Sequence, residues 1–263
     1  AGTETSISGG FSEINVLTLR TAVGDSLQGA NFTNTWVLSG SNSGSLTQNT
    51  NTLTFSGVDN FTGGTAADTV TLTGAQTGTI LGNAGDDIFN LNTNGALTGT
   101  ISGDAGNDTF NLNSGTTTGA VEGGEGIDTL AGSTAYTING TNSGTQTQLN
   151  GGWNTIENLT GTESAADTFT FAGGTISGTA NGLGNNDSDR LDFGNAAAQT
   201  ITITEALATN EFGGTSTSAA NFSNINVITG SGNNDTFISS TAGGTFTIQA
   251  SNDTYISNGQ TLN

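Results

Sequence analysis

Gly82-Asn83-Ala84-Gly85-Asp86-Asp87-Ile88-Phe89-Asn90-Leu91 and Gly103-Asp104-Ala105-Gly106-Asn107-Asp108-Thr109-Phe110-Asn111-Leu112 are two copies of one phrase. Each copy opens on Gly, Asn and Asp, the residues of turns and of positive φ. Each then runs into four residues of alternating character, the period of a half-buried strand. Phe89 and Leu91 fall on one face of their strand, as Phe110 and Leu112 do on theirs. The phrase recurs upstream with its acid at Asp68 and downstream at Asp128, so the acids are 19, 21 and 20 residues apart. Between the acids lie second apolar stretches, Gly78-Thr79-Ile80-Leu81, Gly99-Thr100-Ile101-Ser102 and Gly119-Ala120-Val121-Glu122. Two strands and two turns in about 20 residues predict one coil of a parallel β-solenoid.

A longer period lies over the short one. Asn34-Thr35-Trp36-Val37-Leu38-Ser39-Gly40-Ser41-Asn42-Ser43-Gly44 matches Thr134-Ala135-Tyr136-Thr137-Ile138-Asn139-Gly140-Thr141-Asn142-Ser143-Gly144, 100 residues later. Phe55-Ser56-Gly57-Val58-Asp59-Asn60 pairs in the same way with Trp153-Asn154-Thr155-Ile156-Glu157-Asn158. The sequence therefore predicts an all-β fold, a single continuous solenoid over residues 1–263. It holds two repeats of about 100 residues, 34–133 and 134–233, with partial repeats at both ends. At about 20 residues per coil the chain makes about 13 coils. Trp36, Tyr136 and Trp153 are expected in the core or at its corners. The one window with helical character is Glu205-Ala206-Leu207-Ala208-Thr209.

Composition sets the limits on chemistry. The 263 residues carry 22 acids against Arg20 and Arg190, a net charge of −20, with no Lys, His, Cys, Met or Pro. Without His or Cys there is no zinc-finger, haem or iron–sulfur site, and no Ser-His-Asp or Cys-His catalysis. So acidic a chain repels nucleic acid. No apolar run reaches the length of a membrane-spanning helix, so no membrane insertion is expected. Arg20 and Arg190 read as surface ion-pair partners. Proline would remove ladder donors almost anywhere in such a fold, so its absence is consistent with the prediction.

The corners carry a resemblance. Gly123-Gly124-Glu125-Gly126-Ile127-Asp128-Thr129-Leu130-Ala131 fits Gly-Gly-x-Gly-x-Asp-x-U-x at every fixed position, U being a large apolar residue. The two phrases quoted first depart from it only at their second position. These segments resemble the calcium-binding nonapeptide of the repeats-in-toxin family. The resemblance implies Ca2+ between stacked turns. Its ligands would be the carboxylates of Asp87, Asp108 and Asp128 with carbonyls from Gly82, Gly85, Gly103, Gly106, Gly123 and Gly126. In that family the motif returns every nine residues on both sides of each coil, whereas here it comes once per coil. The alternative is that each Asp caps a turn through the local backbone. The longer phrases look like repeats of large bacterial surface adhesins and biofilm-matrix proteins.

These readings predict a non-enzymatic structural protein, secreted or held at a bacterial surface, in a fibre, matrix or adhesin scaffold. Its expected partners are further copies joined head to tail, with surface polysaccharide as a second candidate and Ca2+ as cofactor. Two alternatives stay open. Outward pairs such as Thr69/Thr71 and Thr109/Asn111 suggest an ice-binding face, which Ile88 interrupts. A carbohydrate-active enzyme would need a convergent carboxylate pair. Glu205 and Glu211, in the irregular segment Ala196–Ala220, are the acids outside the repeat pattern best placed for one.

Overall fold

The structure is a computed structural model, and it describes residues 16–18, 24–184, 188–206, 211–239, 253–257 and 260–262. Every regular element in these residues is a strand, and none is a helix. Spatial contacts divide the chain into two compact units. The first comprises Ala1–Leu130 with Thr147–Thr155, the second Ala131–Gln146 with Ile156–Asn263.

In the first unit the chain passes back and forth between two sheets. One contains, side by side, the strands Asn34–Gly40, Thr69–Leu72, Ile88–Leu91 and Thr109–Leu112. The other contains Asn60–Thr62, Ala75–Leu81 and Ala96–Ala105 in succession. These neighbours are parallel and in register with the sequence repeat: Val70 lies beside Phe89 and Phe89 beside Phe110, while Leu72, Leu91 and Leu112 align in the same way. The period-2 pattern explains the packing. Phe89 and Leu91 are both 1% exposed, and Phe110 is 0% exposed. The rings of Phe89 and Phe110 stack at 4.9 Å with planes 6° apart. Trp36, Phe55 and Phe61 form a second aromatic cluster, with centroids 5.4 to 6.2 Å apart. Trp36, Tyr136 and Trp153 are all buried, as their repeat positions led us to expect.

The second unit has the same parallel habit. Ala135–Gly140, Thr168–Phe171, Arg190–Asp192 and Val227–Thr229 lie side by side in one sheet. Tyr136 stacks on Phe169 at 5.4 Å, and its hydroxyl donates to the carbonyl of Thr160 at 2.7 Å.

Not every neighbour is parallel, which the uniform coils read from the sequence did not anticipate. Asn34–Gly40, Ser43–Gln48 and Asn51–Ser56 form a three-stranded antiparallel meander. Its outer members pair in parallel with the regular passes on either side, Asn34–Gly40 with Thr69–Leu72 and Asn51–Ser56 with Val16–Thr18. Asn42 at φ 48° and Asn49 at φ 55° make its two reversals, and the register shifts between Leu38 and Gly40. A loop residue at positive φ is common in tight hairpins, and Asn tolerates it. The second unit has an equivalent meander, Thr200–Ala206, Phe212–Thr215 and Ala219–Ile225. Glu205 and Ala206 therefore belong to a strand and not to a helical turn. The alternation Thr200-Ile201-Thr202-Ile203-Thr204, rich in β-branched residues, prevails there. Leu207, Ala208 and Thr209 lie outside the described residues.

Candidate functional site

The recurring acids of the first unit form a ladder. The main-chain N–H of Asn34 donates to Oδ1 of Asp68 at 2.6 Å. Those of Asp68, Asp87 and Asp108 donate to Oδ1 of Asp87, Asp108 and Asp128, each at 2.7 Å. The carbonyls of Asp68, Asp87 and Asp108 accept in turn from Ile88, Thr109 and Thr129 on the next pass. Each rung thus meets the following pass with its main chain and the preceding pass with its side chain. Asp68, Asp87, Asp108 and Asp128 are at most 2% exposed. The second unit repeats the device: Asp167 N–H donates to Asp189, and Asp189 N–H donates to Asn226 Oδ1, both at 2.8 Å.

The second carboxylate oxygen separates the rungs. Oδ2 of Asp68 accepts the N–H of Gly64 at 2.7 Å, and Oδ2 of Asp167 accepts that of Thr162 at 2.8 Å. Oδ2 of Asp87 and of Asp108 is buried and accepts no hydrogen bond. Each lies where the first glycine of its own corner lacks a side chain. A Cβ on Gly82 would sit 2.2 Å from Asp87 Oδ2 and 2.5 Å from the Gly103 carbonyl oxygen. A Cβ on Gly103 would sit 2.0 Å from Asp108 Oδ2 and 2.6 Å from the Gly123 carbonyl oxygen. These glycines leave the space into which the acids fold.

Burial dominates the electrostatics of the row, because it disfavours a charged carboxylate. It raises Asp87 to about 7, and the charges of Asp108, Asp68 and Asp86 push the same way, against the hydrogen bond from Asp68. Asp108 rises to about 6, again by burial first, with Asp128, Asp86 and Asp104 adding to it. Asp68 is also raised by burial, opposed by its bonds from Gly64 and Asn34.

The other glycines of the resemblance serve the backbone. Gly85, Gly106 and Gly126 have φ of 112°, 143° and 135°. A Cβ on Gly106 would lie 2.0 Å from the Gly85 carbonyl oxygen, and one on Gly126 1.9 Å from that of Gly106. Calcium takes six to eight oxygen ligands. At the Asp87 and Asp108 rungs one Oδ2 and one glycine carbonyl oxygen lie near the place a glycine Cβ would take, while Oδ1 accepts a main-chain N–H. No three acids gather around one point among the described residues. The head of the ladder, Asn34, is not an acid.

A second ladder runs beside the first on the exposed side of the corner. Asp86 Oδ1 accepts the N–H of Asn107 at 2.7 Å, and Asn107 Oδ1 accepts that of Ile127 at 2.9 Å. Its side chains face the following pass, the reverse of the buried row. Ile127, 61% exposed, supplies no further acceptor and ends it.

One polar constellation was overlooked in the sequence. Asn42, at the hairpin tip, donates to Asp59 Oδ1 and to Thr77 Oγ1, and it accepts the N–H of Thr77 at 2.9 Å. In the second unit Asn142 donates to Glu157 Oε1 at 2.8 Å and to Ser177 Oγ, and it accepts the N–H of Ser177 at 2.8 Å. The offsets from Asn42, Asp59 and Thr77 are 100, 98 and 100 residues, so the long period held the signal.

Elsewhere the surface is less ordered than an ice-binding reading requires. Thr69, Ile88 and Thr109 align across the outer face, and Ile88 is 41% exposed. The next column, Thr71, Asn90 and Asn111, is tied by a bond from Asn111 Nδ2 to Asn90 Oδ1 at 3.0 Å. Glu205 is exposed, whereas Glu211 is 3% exposed. Arg190 opens an exposed strand end, and Arg20 lies outside the described residues. No protein-family model matches the chain, and no curated protein sequence matches it.

Proposed function

We propose that this chain is a structural β-solenoid, a scaffold component of an extracellular fibre, adhesin or matrix at a bacterial surface. The observation that carries the reading is the use of the acids. Asp68, Asp87, Asp108 and Asp128, the most regular chemical feature of the sequence, face inward and join one pass to the next. Groups that hold a fold together in this way are not available to a substrate. The phrases around Trp36 and Tyr136, which look like those of large surface adhesins, support the same reading. So does the parallel registration of like residues, a pattern that further copies of the chain extend by main-chain pairing at a strand edge. Ca2+ at the Asp87, Asp108 and Asp128 corners is part of this proposal, as the resemblance to the calcium-binding nonapeptide implies.

Electron microscopy and sedimentation of the purified protein over rising concentration test the proposal, together with an assay of reducing-end release from a panel of polysaccharides. Concentration-dependent filaments without sugar cleavage are expected. Steady cleavage that is lost in Glu211→Gln replaces the scaffold with an enzyme.

A further inference from the structure

Ile88 is an apolar side chain on a face otherwise made of hydroxyls and amides. It is 41% exposed, one of few large apolar residues so placed among the described residues. Thr69 and Thr109 lie on either side of it, on the neighbouring passes. The outward columns next to it carry amides. Asn111 Nδ2 donates to Asn90 Oδ1, and Asn113 Nδ2 to Asn92 Oδ1, both at 3.0 Å. Each bond uses one of the two N–H groups of its donor and leaves the other for a partner. An amide also carries an acceptor, so a like column turned to face this one can pair with it. An apolar centre within a polar rim is the anatomy of a protein interface.

Charge names the occupant. With a net charge of −20, copies of this chain repel one another. They can approach only where acids are missing. No charged residue occurs from Ile88 to Gly103 or from Thr109 to Val121. The exposed acid nearest Ile88 in sequence, Asp86, belongs to the corner at the edge of the strip. We propose that this strip is where two copies of the chain meet side by side, Ile88 against Ile88 about a two-fold axis, with the amide columns around it. The contact hides both isoleucines from water at once. The proposal rests on the scaffold reading, to which it adds sideways contact beside growth at strand edges.

Size sets the strength. Three passes with three outward residues each cover about 10 Å by 13 Å. A stable pair buries far more, about 800 Å2 per partner. One strip is therefore weak, and it acts where copies are held in line and many strips engage together. The outer face of the other sheet serves as the comparison. Thr98 aligns there with Thr77, and both are exposed, with no apolar residue at the centre.

The test uses the full chain, which has no cysteine of its own. Ile88→Cys and Thr98→Cys are oxidised at equal concentration, and disulfide-linked dimers are followed over time. Both positions are exposed, so neither change opens the core. The Ile88→Cys dimer should form about tenfold faster, because contact raises the local concentration of the thiol. Sodium chloride should speed it further, because salt screens the repulsion between copies. Adding Asn90→Asp and Asn111→Asp to the Ile88→Cys chain should slow it to the rate of Thr98→Cys. Equal rates for the two cysteines overturn the proposal. So does a rate that falls as salt rises, the sign of a contact between opposite charges. Retention of the wild type on insoluble cellulose, lost in Asn90→Asp/Asn111→Asp and accompanied by equal cysteine rates, overturns it in favour of a sugar partner. Single wild-type filaments with equal rates overturn the sideways contact and leave the scaffold reading standing. Faster cross-linking at Ile88→Cys supports the contact even where no filament forms. If the charged variant does not fold, the two cysteines decide alone.

Discussion

The passes from Thr69 to Leu112 and the meander from Asn34 to Ser56 are neighbours in one sheet, yet different forces hold them. In the parallel stretch each residue lies against its own counterpart, Phe89 on Phe110 and Leu91 on Leu112, so apolar stacking is continuous from pass to pass. In the meander no residue lies against its counterpart in another copy of the repeat: Trp36 faces Leu46 and Gly44 faces Phe55 across antiparallel pairs. The hairpin tip is held to the rest of the unit by Asn42, which grips Asp59 and Thr77. Parallel repetition stabilises through stacked cores and ladders, whereas an antiparallel excursion needs a side-chain anchor at its tip.

Three substitutions, two of them paired with a control, sharpen this contrast. Phe110→Ala removes the partner of Phe89 from a fully buried stack and should cost about 3–5 kcal/mol by chemical denaturation. A loss near 1 kcal/mol would mean that the passes do not depend on stacked rings. Gly103→Ala puts a Cβ 2.0 Å from Asp108 Oδ2 and 2.6 Å from the Gly123 carbonyl. Overpacking of this kind should cost about 1–3 kcal/mol. Gly232→Ala is the control for adding a methyl group, since Gly232 also lacks a positive φ and has nothing within 4 Å of its missing Cβ. Asn42→Ala should cost about 1 kcal/mol and raise hydrogen exchange at the tip of the Asn34–Gln48 hairpin, leaving the parallel passes protected. Asn42→Gly keeps the positive φ and separates the lost bonds from the turn's conformational requirement.

Much of this organisation was legible in the sequence. Strict alternation in Thr109-Phe110-Asn111-Leu112 gave both the strand and its buried face, because period 2 has one physical meaning there. The acids were also found, but not the direction in which they point. A corner has no periodicity, so nothing in Gly-x-x-x-x-Asp tells an outward ligand from an inward rung. The choice rests on the preceding pass, whose N–H comes from about 20 residues away. The meanders were hidden for another reason. Ser41-Asn42 and Asn49-Thr50 lack the Gly of a strong hairpin signal, and Asn, Ser and Thr fill strands and turns alike in this chain.

The one-way sense of the buried ladder bears on how such a chain changes length over generations. Each rung offers its main chain to the pass ahead and its carboxylate to the pass behind, so every interior segment presents the same two faces. A tandem duplication in the gene that copies one segment of about 20 residues therefore joins an existing donor to a new acceptor and keeps the ladder's main-chain N–H groups paired. Deleting one segment closes the gap in the same way. Asn34, at the head of the row, is one position where such edits cannot fall freely, because Gln48 and Ala30 already hold its side chain.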